Sequence, residues 1–137
     1  MKTGNYITMK ELRDRQFYRD VTRVLNKARR RGASLTVGQA VERAIKDRAD
    51  GYFVSVDHAR HMLCRMHCGR VSANCSPLQL LKWREFDSKV RERCRLTGCS
   101  RLSAIVHVLT YATASRYFIA PSTGIRIYNQ YQKRERI

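Results

Sequence analysis

Apolar residues recur every three or four positions along most of this chain, and short polar, glycine- or serine-containing stretches separate the segments that show this spacing. Such a period is typical of amphipathic helices with one buried face. In the first segment the apolar positions are Leu12, Phe17, Val21, Val24, Leu25 and Ala28. In the last segment Ile125, Tyr128 and Tyr131 are expected to point inward. The pattern predicts six helices and an all-α fold.

Residues that start and stop helices support the same division. Thr8 with Glu11, and Thr36 with Gln39, have the spacing of a capping box. Ser55, Ser76 and Ser100 can cap three further helices, with Pro77 and Pro121 in first turns. Gly32, Gly69 and Gly98 suit helix ends. The first helix is expected to end near residue 31, the second near 49 and the fourth near 96.

The order of elements occurs twice, about 65 residues apart. Each copy reads long helix, glycine stop, shorter helix, an extended apolar link (Tyr52-Phe53-Val54, then Tyr117-Phe118-Ile119) and a last helix. We therefore expect two pseudo-repeated three-helix units packed as one bundle. The boundaries are an arm at 1–7, a first unit at 8–69, a linker at 70–76 and a second unit at 77–137. Chance likeness between amphipathic segments is the alternative.

Charge is the strongest compositional signal. The 137 residues include 28 Lys and Arg against 11 Asp and Glu, a net charge of +17 spread over both halves. Such a protein attracts polyanions, nucleic acid above all, although a merely cationic surface is the alternative. Five cysteines, an odd number, and an N-terminus without a secretion leader favour a reduced, cytoplasmic protein. No stretch is apolar enough to span a membrane.

Much of the basic charge falls into stripes along predicted helices. Arg19, Arg23, Lys27 and Arg30 share one face of the first helix, with Arg31 beyond them. The fourth helix carries one stripe of Arg84, Arg91 and Arg95 and another of Lys82, Lys89 and Arg93. An ordinary solvated helix face usually mixes charge signs, whereas like charges at this spacing repel. Phosphate contact would relieve that repulsion.

The third and sixth helices carry polar residues that could read base edges. On the third these are Asp57, His58, Arg60, His61 and Arg65, and on the sixth Ser122, Thr123, Arg126, Asn129 and Gln130. The link at about 49–55 is longer than a helix-turn-helix turn. Ordinary exposed helix residues are the alternative for each of them.

Metal binding and catalysis have less support. His61, Cys64 and Cys68 lie on one helix face and are zinc-type ligands, but no zinc-finger spacing is present. Buried cysteine is the commoner outcome. No phosphate loop, nucleophile elbow or carboxylate pair appears. We therefore expect a protein that is not an enzyme and needs no cofactor.

These observations predict a nucleic-acid-binding protein, for DNA rather than RNA, in which arginine-rich helix faces contact phosphates. The expected contact residues are Arg19, Arg23, Lys27, Arg30, Arg31, Arg60, Arg84, Arg91, Arg95 and Arg126. The alternative is an adaptor that docks an acidic protein partner on the basic surface, with Tyr6, Tyr18 and Tyr111 as exposed anchors.

Overall fold

The computed structural model describes residues 8–70 and 75–135 of the chain. These ranges contain six α-helices and no β-strand, which confirms the all-α prediction. The helices are α1 (Met9–Arg30), α2 (Val37–Ile45), α3 (Val56–His67), α4 (Pro77–Thr97), α5 (Arg101–Tyr111) and α6 (Pro121–Glu135). The predicted arm at 1–7 and positions 71–74 of the predicted linker lie outside the described residues.

Most helix ends follow the local signals. The hydroxyls of Thr8, Thr36, Ser55, Ser76 and Ser100 each accept a backbone N–H three residues on, as N-caps do. Gly32, Gly69 and Gly98 have φ angles of 74°, 68° and 71°, which is why glycine stands at these three helix ends.

The second helix is shorter than expected. It ends at Ile45 rather than near residue 49. The carbonyl of Ile45 accepts a hydrogen bond of 3.0 Å from the backbone N–H of Tyr117, far along the chain. A tertiary contact thus occupies a carbonyl at the end of the helix, and local spacing does not reveal it.

The helices group into two compact units that differ from the predicted ones. One unit comprises the chain up to Ala49 together with the chain from Ser115, and so contains α1, α2 and α6. The other, Asp50–Ala114, contains α3, α4 and α5. The expected units at 8–69 and 77–137 each joined three consecutive helices. In the structure α6 instead belongs with α1 and α2, and α3 belongs with α4 and α5. The exchange follows from the fit of side chains within each unit.

The core of the first unit forms between α1 and the segment that precedes α6. The rings of Phe17 and Tyr117 meet edge to face, with centroids 5.1 Å apart. Helix α6 approaches closely at Gly124, where a Cβ would lie 2.7 Å from Cγ1 of Val41. Ile127, rather than the expected Ile125, is buried on α6. Only glycine at position 124, which has no Cβ, allows α6 to lie this close to Val41 of α2.

The second unit closes around α4. Tyr52 and Phe86 meet edge to face, with centroids 5.2 Å apart, and Trp83 lies edge-on to Phe86 at 5.6 Å. Leu63 of α3 and Ile105 of α5 complete this fully buried core. The link that contains Tyr52 was expected to be extended, but Phe53 has a φ of 56°, so the backbone turns there.

The two cores resemble each other in one respect. In each unit a tyrosine from a link packs against a phenylalanine of the long helix, and its hydroxyl hydrogen-bonds to polar side chains of that same helix. The sequence repeat itself stays a prediction.

Candidate nucleic-acid interface

Three tyrosine hydroxyls donate hydrogen bonds to carboxylates. Tyr117 donates to Asp20 across 2.5 Å, Tyr52 to Glu85 across 2.6 Å, and Tyr18 to Glu135 across 2.8 Å. Asp20, Asp14 and Asp87 are buried. These acidic groups serve contacts within each unit, and several also pair with a cation: Asp14 with Arg13, Asp20 with Arg23, Asp87 with Arg91 and Glu85 with Lys89.

The position of Tyr18 differs from the expectation that it is an exposed anchor. Tyr18 is buried and stacks on Tyr131 with centroids 5.6 Å apart, so it is not an exposed anchor. Burial, followed by the Glu135 hydrogen bond, raises the pKa of Tyr18. Tyr111 is 74% exposed, and Tyr6 lies outside the described residues.

The basic stripe of α1 lies on the surface of the first unit. Arg19, Lys27 and Arg30 are exposed. No carboxylate of the described ranges comes within 4.0 Å of them. Arg23 pairs with Asp20 at 3.0 Å, yet its side chain is 70% exposed. We call Arg19, Arg23, Lys27 and Arg30 the α1 stripe.

A cleft of about 460 Å³ opens in the first unit near the C-terminal ends of α1 and α2. It is lined by four cations, one carboxylate and three apolar residues: Lys27, Arg31, Arg43, Lys46, Asp47, Val24, Ala28 and Ala33. Among residues 8–70 and 75–135, Asp47 forms no ion pair with these cations. Lys27 belongs to both the α1 stripe and this basic cleft, so the two form one surface.

Two lining residues of the basic cleft were not expected from the sequence. Arg43 and Lys46 belong to the end of α2, where spacing along the chain gives no sign that Lys27 and Arg31 lie opposite. Cations at a helix C-terminus also favour the helix dipole, so each alone would pass for a local stabilising feature.

The arginine stripe of α4, formed by Arg84, Arg91 and Arg95, has more carboxylate partners than the α1 stripe. Arg84 is exposed and has no carboxylate within 4.0 Å in the part of the chain that the structure describes. Arg91 pairs with Asp87 at 2.9 Å, and Arg95 pairs with Glu92. The Asp87 side chain is 12% exposed and also contacts His67 at 3.0 Å, whereas Arg95 donates two hydrogen bonds to the exposed Glu92.

The second cationic stripe of α4 packs against aromatic rings. Lys82 lies 5.0 Å from the ring centre of Trp83, and Lys89 lies 5.2 Å from that of Tyr52. Lys89 also donates to the carbonyl of Thr113. These half-buried lysines already have contacts, which makes them weaker candidates for phosphate.

The expected base-reading residues are mostly at the surface. On α6 Arg126, Asn129 and Gln130 are exposed, and Arg126 has no ion pair within the described residues. On α3 Arg60 lies 3.9 Å from Asp57. The His58 ring meets Trp83 edge to face at 5.5 Å. Burial, followed by the charges of Lys82 and His61, lowers the pKa of His58.

The described residues contain no set of side chains that could bind zinc. Within residues 8–70 and 75–135, no three His, Cys, Asp or Glu side chains are placed to hold a metal ion. Cys64 and Cys68 are exposed thiols rather than buried apolar residues. None of the helices in these ranges has the length and apolar character that crossing a bilayer requires.

Comparison with models of protein families, with curated proteins and with solved structures finds no match to this chain.

Proposed function

We propose that this protein binds nucleic acid, DNA in preference to RNA, through phosphate contacts made by the α1 stripe. The observation that carries the proposal is that Arg19, Lys27 and Arg30 lie exposed on one helix without a carboxylate partner in the described part of the chain. Arginine suits the role because its planar guanidinium can bind phosphate through two parallel hydrogen bonds.

The distribution of acids supports the same function. Most of the paired acids lie beside other cations, since Asp14 pairs with Arg13, Asp87 with Arg91 and Glu92 with Arg95. Among the described residues this leaves Arg19, Lys27 and Arg30 without a carboxylate within 4.0 Å. A phosphate backbone supplies the missing negative charge and releases its counterions on binding.

The preference for DNA follows from groove shape. The major groove of B-form DNA admits an α-helix, whereas that of A-form RNA is deep and narrow. Helix α1 is 22 residues long, with the α1 stripe along one of its faces. Such a helix can follow a groove or the phosphates beside it.

Binding to a labelled 20-base-pair DNA duplex across a KCl series tests the proposal, with an RNA duplex of the same sequence in parallel. Affinity should fall steeply with salt. The triple variant Arg19→Gln, Lys27→Gln, Arg30→Gln should bind at least tenfold more weakly and lose about three units of log–log salt slope, roughly one per phosphate contact.

The matched control removes three other exposed cations, as Lys10→Gln, Arg116→Gln and Lys133→Gln. It should lower affinity far less than the α1 triple variant. Equal effects of the two triple variants would mean that only net charge matters, and a DNA affinity unchanged by the α1 variant would exclude this helix.

An adaptor function is the second candidate, and exposed apolar residues of the second unit favour it. Leu96, Leu102, Val106 and Tyr111 are 65%, 47%, 43% and 74% exposed. An acidic protein partner could use Tyr111 as an anchor. A complex of this kind should survive nuclease treatment and be lost in Tyr111→Ala, without any change in DNA binding.

A further inference from the structure

We propose that the basic cleft holds one phosphate group of the bound nucleic-acid strand together with the sugar attached to it. This proposal rests on the proposed function and assigns a specific place to one phosphate. Its ligands are Lys27, Arg31, Arg43 and Lys46, which line one concave space from two different helices.

The charges around the cleft point to an anion. Four cations surround the space, and Asp47 forms no ion pair with them in the described ranges although it lines the same cleft. The four cations outnumber the one carboxylate, so the cleft keeps a net positive charge that the two helix C-termini offset only in part. An oxyanion in the cleft would offset the rest.

The size and the floor of the cleft point to more than a bare anion. A volume of about 460 Å³ exceeds that of a single phosphate and lies within the usual range for small-molecule sites. Val24, Ala28 and Ala33 provide an apolar wall beside the cations. A sugar can pack against such a wall while its phosphate contacts the charged rim.

A cleft in the second unit is less suited to an anion. A cleft of about 460 Å³ there is lined by Arg91 and Arg101 but also by Asp87, whose carboxylate already binds Arg91 and His67. A buried carboxylate at the wall repels phosphate. We therefore assign the phosphate site to the first unit alone.

The test uses Arg43 and Lys46 because they line the cleft but do not belong to the α1 stripe. The pair Arg43→Ala, Lys46→Ala removes two charges without harming helix propensity. Its control, Lys10→Ala with Lys133→Ala, removes two exposed charges elsewhere in the same unit. Circular dichroism melts establish that each variant is folded before binding is compared.

For DNA binding we expect the cleft pair to weaken affinity about tenfold at 100 mM KCl and to lower the log–log salt slope by about one. The control should change affinity less than threefold and leave the slope unchanged. A cleft pair that behaves like its control would overturn the site while leaving the α1 stripe as the interface.

A second arm separates a strand phosphate from a free one. In ¹H–¹⁵N spectra, deoxyribose 5-phosphate should shift the amide signals of residues around the cleft at lower concentration than inorganic phosphate does, since it adds only the sugar. Equal effects of deoxyribose 5-phosphate and inorganic phosphate would overturn the sugar contact. Shifts by deoxyribose 5-phosphate without any DNA binding would keep the cleft as a phosphate site and reject the proposed function.

Discussion

The hydroxyl of Tyr117 donates a hydrogen bond to the carboxylate of Asp20 across 2.5 Å, and so joins the segment before α6 to the middle of α1. The other carboxylate oxygen of Asp20 lies 3.0 Å from the guanidinium of Arg23. One buried acid therefore connects the core of the first unit with the α1 stripe. It stabilises the helix pairing and balances one cation of the stripe, Arg23, whereas Arg19, Lys27 and Arg30 have no carboxylate partner among the described residues.

Removal of this hydroxyl should destabilise the first unit. Tyr117→Phe deprives a buried carboxylate of its hydrogen bond, which costs about 1.5–3 kcal/mol for a bond to a charged group. Urea unfolding measures the change. Tyr111→Phe is the control, because Tyr111 is 74% exposed and should change stability by less than about 0.5 kcal/mol. Equal stability of the two variants would contradict the role assigned to the Asp20 contact.

A side chain at Gly124 should be costly. In Gly124→Ala the new Cβ would lie 2.7 Å from Cγ1 of Val41 and 3.0 Å from Cζ of Phe17. Overpacking of this kind costs about 1–3 kcal/mol, which outweighs a gain of at most about 1 kcal/mol in helix propensity. Thermal or urea unfolding should therefore show a less stable protein.

Two further variants check the cause. Gly38→Ala should stabilise the protein, because its Cβ would meet nothing closer than the Thr36 hydroxyl at 3.9 Å. In a Val41→Ala background the Gly124→Ala change should become less harmful, since the closest contact is gone and only the Phe17 ring, at 3.0 Å, remains close. A penalty at Gly124 that persists unchanged in that background would mean that the clash with Val41 is not its cause.

Stability should fall at alkaline pH through Tyr52. Burial, followed by the hydrogen bond to Glu85 and its charge, raises the pKa of Tyr52 far above the ordinary value of about 10. The unfolded state therefore loses this proton first, and the contribution is complete below about pH 10 and declines as pH rises beyond it. The free energy of unfolding between pH 9 and 11 should drop less in Tyr52→Phe than in the parent. Tyr111→Phe should keep the parental drop.

The ion pairs of α4 predict that substitutions of Arg84 and Arg95 change DNA affinity by unequal amounts. Arg95 must leave Glu92 to contact phosphate, whereas Arg84 has no such partner among the described residues. An exposed pair contributes about 0.2–1 kcal/mol, so Arg84→Gln should weaken binding more than Arg95→Gln, by roughly 1.4- to fivefold. Glu92→Gln should strengthen binding at low salt. Weaker binding by Glu92→Gln would mean that Arg95 needs this acid to hold its position.

The sequence alone was sufficient for the six helices, for most of their ends and for the sign of the net charge. Helix starts at Thr36 and Ser76, and ends at Gly32 and Gly98, depend on contacts within a few residues, so local patterns predict them. The α1 stripe is equally local, because Arg19, Arg23, Lys27 and Arg30 share a face of a single helix. The excess of cations is a property of composition.

Tertiary structure decided which helices share a core and which charges are neutralised. The exchange of α3 and α6 between units depends on fits such as Gly124 against Val41, which join residues far apart in the chain. The same is true of Tyr117 with Asp20, and of Arg43 beside Lys27 in the basic cleft. Spacing along a helix specifies a face but not its neighbour, because that choice depends on the shapes of two distant surfaces.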